Sequence, residues 1–397
     1  MPRPLDNASQ ALREQIRRIE PYDTGLLLSV LMLLGLGTVV VFSATIHTDY
    51  MASGDGTTTL RRHLIHVGLG VATLVVGMMV PYRHWKKLVY PILAGVVILL
   101  LLVLEFGTTV GNARRWLAFP GFKVQPAEMA KLAFVFFLSY SLAKKGKEIQ
   151  KFTIAWLPHT AVCAVLILLC LSQPDFGTSI LLVLIMFGML FVAGTRLAYI
   201  ALFSCVGAFL VFQAVANNNM RLTRVMMWLD PWGHRMDGGY QMVNSLIAIG
   251  SGGTSGQSLG FGGQTLTGYL PEGETDFILS VIAEQLGFLG VLVVVALFGM
   301  LMLRGTTTAL HAQDPFGRFL AFGITFLLGL QATINMLVAV TLIPTKGLTL
   351  PFISYGGSSM IVCCFAVGIL LSISRDIRVG RAELLASVEE EPVGVPA

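Results

Sequence analysis

Long apolar runs, separated by short polar stretches, recur along this chain at the spacing a bilayer requires. They fall at residues 24–46, 62–80, 88–106, 126–143, 153–172, 176–194, 197–216, 276–303, 317–341 and 351–373. Each is close to the ~20 residues an α-helix needs to cross the hydrocarbon layer. The pattern predicts an all-α polytopic membrane protein of about ten transmembrane helices. Residues 217–275 then form a large outer loop between helices seven and eight. Residues 1–23 read as a cytoplasmic amphipathic segment with Leu12, Ile16 and Ile19 on one face, and no cleavable signal peptide is expected. Residues 24–374 make up the membrane domain. The acidic, Pro-bearing stretch 375–397 reads as a disordered cytoplasmic tail.

Composition agrees with this pattern and narrows it. Charged residues make up 12% of the chain, hydrophobic residues 55%, and the mean hydropathy is +0.75, whereas a soluble domain carries about 25% charge. The net charge of +5 is therefore a topological signal and not a nucleic-acid footprint. Placing the N-terminus inside puts most of the 27 Lys and Arg in short cytoplasmic loops. An even number of spans returns the C-terminus to the same side. All five cysteines lie in apolar runs, which suits small buried hydrophobes rather than disulfides or zinc ligands. His63 and His66 have helical spacing but no carboxylate company, and no metal-ligating set is read.

Polar residues inside or at the mouth of these runs are the candidates for chemistry, because a carboxylate there is expensive. Asp276 and Glu284 stand on one ridge with Ser280. Glu284 lies about 12 Å deeper at 1.5 Å per residue, which suits structural support, and Asp276 could meet a headgroup or cap its helix. Gln125, Glu128 and Lys131 stack on one face of the fourth run, as a polar site or as an ion pair that fixes packing. Arg114 and Arg115 precede Trp116, where a guanidinium suits a pyrophosphate or snorkels to headgroups. Asp175 reads as an N-cap with Thr178 beside it. Lys346 is a second candidate phosphate partner, near the small polar run Ser354, Tyr355, Gly356, Gly357, Ser358 and Ser359. The loop 217–275 alternates aromatics with nine glycines between 250 and 273, which fits close backbone approach to a bulky ligand as well as a flexible linker. From residues alone, an enzyme acting on a lipid-linked pyrophosphate and a flippase for such a lipid both fit.

Several stretches are specific enough to carry a resemblance: VFSAT at 41–45, NARRW at 112–116, QPAEMAK at 125–131, QPDFGT at 173–178, RLTRVMMWLDPW at 221–232, YLPEGETDFILSVIAEQLG from 269, and PTKGLTLPFISYGGSS at 344–359. Over residues 23–375 the chain resembles the SEDS family of shape, elongation, division and sporulation proteins, and its division branch more than its elongation branch. The resemblance implies a peptidoglycan glycosyltransferase that polymerises lipid II at the outer face of the bacterial cytoplasmic membrane, at the division septum. It implies a class B penicillin-binding protein as transpeptidase partner, with other division-complex membrane proteins. It puts the essential aspartate at Asp276, and family positions at Arg115, Glu128, Lys131 and Asp175. Substrate contacts are expected at Arg115, Glu128, Lys131, Lys346, Ser354 and Gly356, and support at Asp175, Glu284 and Gln125. Metal-free transfer and transfer assisted by a divalent cation (Mg or Mn) both stay open. Where the family carries a histidine before its T-D-F, this chain has Glu274.

Overall fold

In a computed structural model of the chain, the residues described are 22–390, except 111–112, 120–121, 218, 237, 261, 264–269 and 346. Every apolar run is helical over most of its length. In chain order the helices longer than five residues are α1 (Thr24–Ser53), α2 (Thr58–Met79), α3 (Trp85–Phe106), α4 (Pro126–Lys145), α5 (Leu157–Ser172), α6 (Phe176–Val192) and α7 (Leu197–Ala216), followed by α8 (Asn219–Leu229), α9 (Tyr240–Gly252), α10 (Ile278–His311), α11 (Pro315–Ala339) and α12 (Gly357–Glu390). Among the described residues, 7 helical stretches are long and apolar enough to cross a membrane, and α6 and part of α7 are apolar but shorter. Helix starts follow local chemistry: Asp23, Asp175 and Asp314 cap α1, α6 and α11 through their carboxylates, and Pro126 opens α4.

The centre of the bundle is α4, α11 and α12. Nearly every side chain of α4 from Pro126 to Leu142 is buried, and so are 67% and 78% of the apolar windows of α11 and α12, against 22% for α2 and α3. The outer helices turn apolar faces outward, as lipid-facing helices do. Where α2 meets α12, Gly77 and Gly368 let the backbones touch. A Cβ on Gly368 would stand 2.2 Å from the Leu74 carbonyl oxygen.

The chain crosses back and forth so that polar contacts collect at the two ends. At one end Asp23 pairs with Arg378 (3.5 Å) and Arg304 (3.9 Å), Arg83 pairs with Asp376 (2.8 Å), and Tyr82 donates to Asp314. The first and last long helices therefore have their chain-terminal ends on the same side. The opposite end collects, among the described residues, the connections that follow α1, α3, α5, α9 and α11, and holds the candidate site.

Three features were not expected. Residues 107–125 build three short antiparallel strands, β1 (Thr108–Val110), β2 (Ala113–Phe119) and β3 (Phe122–Val124), in the order β1-β2-β3. Their β-branched and aromatic residues suit pleated pairing. The eighth run is not one continuous helix: Gly287 (φ 68°, ψ −166°) breaks α10 after less than three turns. The tail expected to be disordered is helical over residues 375–390, because it continues a packed helix through strong helix formers such as Arg381, Ala382, Leu384 and Leu385. The amphipathic segment expected over residues 1–23 lies almost wholly outside the described residues.

Candidate active site

Asp276 sits in the turn that precedes α10. The backbone N–H groups of Thr275, Asp276 and Phe277 all point at the Glu272 carbonyl (3.1, 3.1 and 3.2 Å), and Phe277, 1% exposed, anchors the turn in the core. Asp276 is therefore not the N-cap, since Phe277 occupies that position, and its carboxylate is left for other work.

The turn is fastened from two directions. Asn335, near the end of α11, donates from Nδ2 to the Asp276 carbonyl (3.0 Å) and to the Leu348 carbonyl (2.7 Å). Ser354 donates its hydroxyl to the Thr275 carbonyl (2.6 Å) and accepts from the Leu350 N–H (2.9 Å). The Tyr355 N–H adds a bond to the Glu274 carbonyl (2.8 Å). The loop 347–356 and the aspartate turn are thus held as one unit.

Arg115, on β2, comes to the same place. It donates from Nε to the Gln173 carbonyl (3.1 Å) and from Nη2 to the Pro174 carbonyl, which fixes the guanidinium plane. Its remaining nitrogen Nη1 lies 3.7 Å from where a Cβ on Gly347 would be, and Asp276 Oδ2 lies 3.8 Å from that same point. Gly347, at φ 68°, leaves open the corner where the cation and the carboxylate meet.

Electrostatics poise the carboxylate. Burial is the largest influence and pushes Asp276 up to about 6; Glu272 and Glu274 push the same way and Arg115 opposes them. Glu274 is itself raised, by burial first and then by Glu272 and Asp49. A carboxyl near 6 is largely ionised at neutral pH and a far better proton acceptor than an ordinary aspartate.

The other expected site residues divide between this corner and its scaffold. Glu128 and Lys131 form a buried pair at 2.7 Å, and Lys131 also donates to Gln331 Oε1 (2.8 Å). With 1% of Lys131 exposed, its charge is spent on α4–α11 packing rather than offered to a pyrophosphate. Ser354 is 2% exposed and both its bonds go to backbone, so it is a strut rather than a ligand group. Gly356 opens the turn into α12, with its carbonyl accepting from Met360 (2.8 Å). Asp175 caps α6 through Thr178, to its N–H (3.0 Å) and hydroxyl (2.8 Å), which holds the turn that Arg115 grips. Gln125 uses its N–H toward Ser358 Oγ (2.9 Å). Glu284, fully buried, packs on the backbone at Gly262, below the site. Lys346 lies outside the described residues. Among the described residues, no three His, Cys, Asp or Glu side chains converge to hold a metal ion.

Sequence reasoning passed over Asn335 and Gln331. Both are polar, lie one turn apart on an otherwise apolar helix, and are 1% exposed. That spacing alone marks a polar stripe facing the bundle interior.

A bundle of apolar helices, with a raised carboxylate and a clamped guanidinium gathered at one end, defines the class as a multi-pass membrane protein. Comparison with known proteins places it further. The family model described as cell cycle protein (FtsW, RodA, SpoVE) matches residues 24–379, and the chain belongs to that family. It is 45% identical over 361 residues to the "Probable peptidoglycan glycosyltransferase FtsW" of Geobacter metallireducens, covering 90% of this chain and 96% of that one. It is 43% identical over 371 residues to the protein of the same name from Trichlorobacter lovleyi, covering 93% and 97%. Among solved structures it resembles a chain from "Structural coordination of polymerization and crosslinking by a peptidoglycan synthase complex" (TM-score 0.74, 29% identity, 90% of this chain and 98% of that one). It also resembles the rod shape determining protein RodA of Thermus thermophilus (TM-score 0.63, 29% identity, 89% and 97%).

Proposed function

We propose that this chain is a peptidoglycan glycosyltransferase of the division type, which polymerises lipid II into glycan strands at the outer face of the cytoplasmic membrane. Family membership and the names of its relatives support the activity. The identity of more than 40% to division-type relatives, against 29% to the rod-shape protein, supports the division branch over the elongation branch. The observation that carries the mechanism is the raised, partly exposed carboxylate of Asp276 beside a fixed cation.

In the proposed step, Asp276 takes the proton from the acceptor sugar's 4-hydroxyl as that oxygen attacks the donor's anomeric carbon. The bond from that carbon to the phosphate oxygen breaks with inversion, and the electron pair leaves on the lipid pyrophosphate. Arg115, with two of its nitrogens committed to carbonyls, presents Nη1 to the charge that develops there. Lys346, beside Gly347 in sequence, is proposed as a second cation for the same pyrophosphate. A pyrophosphate leaves as a stable anion, so one base suffices and no second carboxylic acid is required.

Both ends of the membrane domain lie on the arginine-rich side, with Asp23 against Arg378, which supports N-in, C-in topology with the site outside and, for a division enzyme, a septal location. The solved relative from a peptidoglycan synthase complex supports a class B penicillin-binding protein as partner, alongside other division-complex membrane proteins. The test uses purified protein in detergent with labelled lipid II, with and without that transpeptidase. Glycan chains that vanish in Asp276→Asn are the expected result; in vesicles, lipid movement across the bilayer without chains would instead indicate a flippase.

A further inference from the structure

Asn335 and Gln173 are both buried amides that donate to backbone carbonyls and leave the amide oxygen without a partner, but Asn335 makes two such bonds where Gln173 makes one. The Asn335 Nδ2 group uses both protons on backbone carbonyls, those of Asp276 and Leu348. Its Oδ1 is buried and has no hydrogen-bonding partner. The orientation is forced, because the reverse placement would set Oδ1 against two carbonyl oxygens. An apolar side chain at this place would leave no orphaned acceptor. A residue that carries that penalty is present for its two N–H bonds.

Those two bonds join the segments that meet at the open corner. One ends on the residue that bears the carboxylate; the other ends on the residue after Gly347, the glycine whose missing side chain separates Asp276 Oδ2 from Arg115 Nη1. No other side-chain donor among the described residues links the Asp276 turn to the segment at 347–348. Ser354 makes the neighbouring tie, from Thr275 to the turn at 350–354. We propose that Asn335 is the positioning residue of the transferase site, a carboxamide clamp that holds Asp276 facing Arg115 across Gly347. It acts through the backbone and need not touch the sugar. The inference rests on Asp276 being the base.

The charged groups that face Asp276 are Glu272 and Glu274 from its own turn and Arg115 from β2. Asn335 alters none of them, so loosening the clamp changes only how buried and how close to Arg115 the carboxylate stays. Released toward water, Asp276 returns toward an ordinary carboxylate. The acidic limb of the rate profile then moves to lower pH while the rate on the plateau falls. Loss of packing alone would not move that limb.

The experiment measures kcat against pH, and KM for lipid II, for wild type, Asn335→Leu and Asn335→Gln, each as the full chain in detergent. Asn335→Leu is expected to lose at least tenfold in kcat with little change in KM, and its acidic limb is expected to shift down in pH. Asn335→Gln, which keeps the two N–H donors on a longer arm, is expected to fall between Leu and wild type in both respects. If Asn335→Leu does not fold, Asn335→Gln alone decides by the same limb. An unmoved limb overturns the proposal, whatever happens to kcat. Asp276→Asn run in parallel separates the two readings. Full activity there removes the base and this inference with it; an inactive Asp276→Asn beside wild-type behaviour in the Asn335 variants removes only the clamp.

Discussion

Replacing Asp276 with asparagine moves two measurable quantities in opposite directions. The substitution keeps the shape and the backbone, so the bonds from Asn335 and Ser354 to the turn survive. Activity is expected to fall by about 10²–10⁴-fold, the usual contribution of a positioned base. Stability is expected to rise. The folded protein raises Asp276 from 3.8 to about 6, so the native state binds this proton more tightly than the unfolded chain does. A carboxyl raised in this way adds no penalty below about pH 4, becomes destabilising as pH climbs toward 6, and reaches its full cost above that. At 1.36 kcal/mol per unit the full shift amounts to about 3 kcal/mol. Partial exposure and solvent screening bring a realistic figure to roughly 1–2 kcal/mol, a gain of a few degrees in the unfolding midpoint. The assay is paired: lipid II polymerisation, and thermal unfolding in detergent at pH 8 and pH 4. The inactive variant should melt higher than wild type at pH 8 and level with it at pH 4. Near wild-type polymerisation, or no stabilisation at pH 8, would refute the picture of a half-buried, poised base.

The neighbouring charges should tune the same titration with opposite signs. Glu274→Gln removes a negative charge that raises Asp276 and should move the acidic limb of the rate profile to lower pH; Arg115→Gln removes the opposing cation and should move it to higher pH while slowing the plateau. A limb that ignores both substitutions would mean that another group titrates. Glu128→Gln alone should cost about 3–5 kcal/mol by stranding the buried Lys131, and the double variant with Lys131→Met should recover most of that loss; unfolding midpoints in detergent provide the check. Gly287→Ala should be poorly tolerated, because its Cβ would stand 2.4 Å from the Gly256 nitrogen in a left-handed conformation; a variant that purifies and melts like wild type would contradict the break in α10.

What was legible in the sequence, and what was not, follows from the range of the forces involved. Apolar character acts within a helix, so the all-α membrane architecture was legible, while 7 stretches among the described residues are long and apolar enough to span where about ten were expected; caps such as Asp175 were found because they act over three residues. Asp276 stood out because a carboxylate at the mouth of an apolar run is costly wherever it sits. Roles that depend on which partner lies across the bundle were hidden. Lys131 and Ser354 have the chemistry of ligand groups, yet Gln331 at 2.8 Å and the Thr275 carbonyl at 2.6 Å already occupy them. The break at Gly287 was also hidden, since one glycine inside a long apolar stretch reads as a tolerated interruption.

That break also shapes the element that carries Asp276. A helix ends in unpaired backbone groups, which a membrane protein can keep only where other protein groups satisfy them. Here the segment 253–258 does so. The carbonyls of Gly253 and Thr254 accept from Phe288 and Leu289 (2.9 and 3.2 Å), while Gln257 and Ser258 donate back to the Glu284 and Gln285 carbonyls (3.0 and 3.2 Å). Close approach is the condition for this pairing: a Cβ at Gly252 would stand 1.8 Å from the Ala283 carbonyl oxygen, and one at Gly256 2.1 Å from that of Gln285. Gly252 and Gly256, from the glycine-dense stretch, thus hold the first turns of α10 as a short separate helix, with Asp276 just before its start and buried Glu284 near its end. The carboxylate is therefore carried by a stub clamped on one side by the loop 253–258 and on the other by Asn335 and Ser354, and not by the long helix that follows. Rigid placement within a fraction of an ångström is what the role of base proposed for Asp276 requires, and a stub tied at both ends provides it without immobilising the rest of α10.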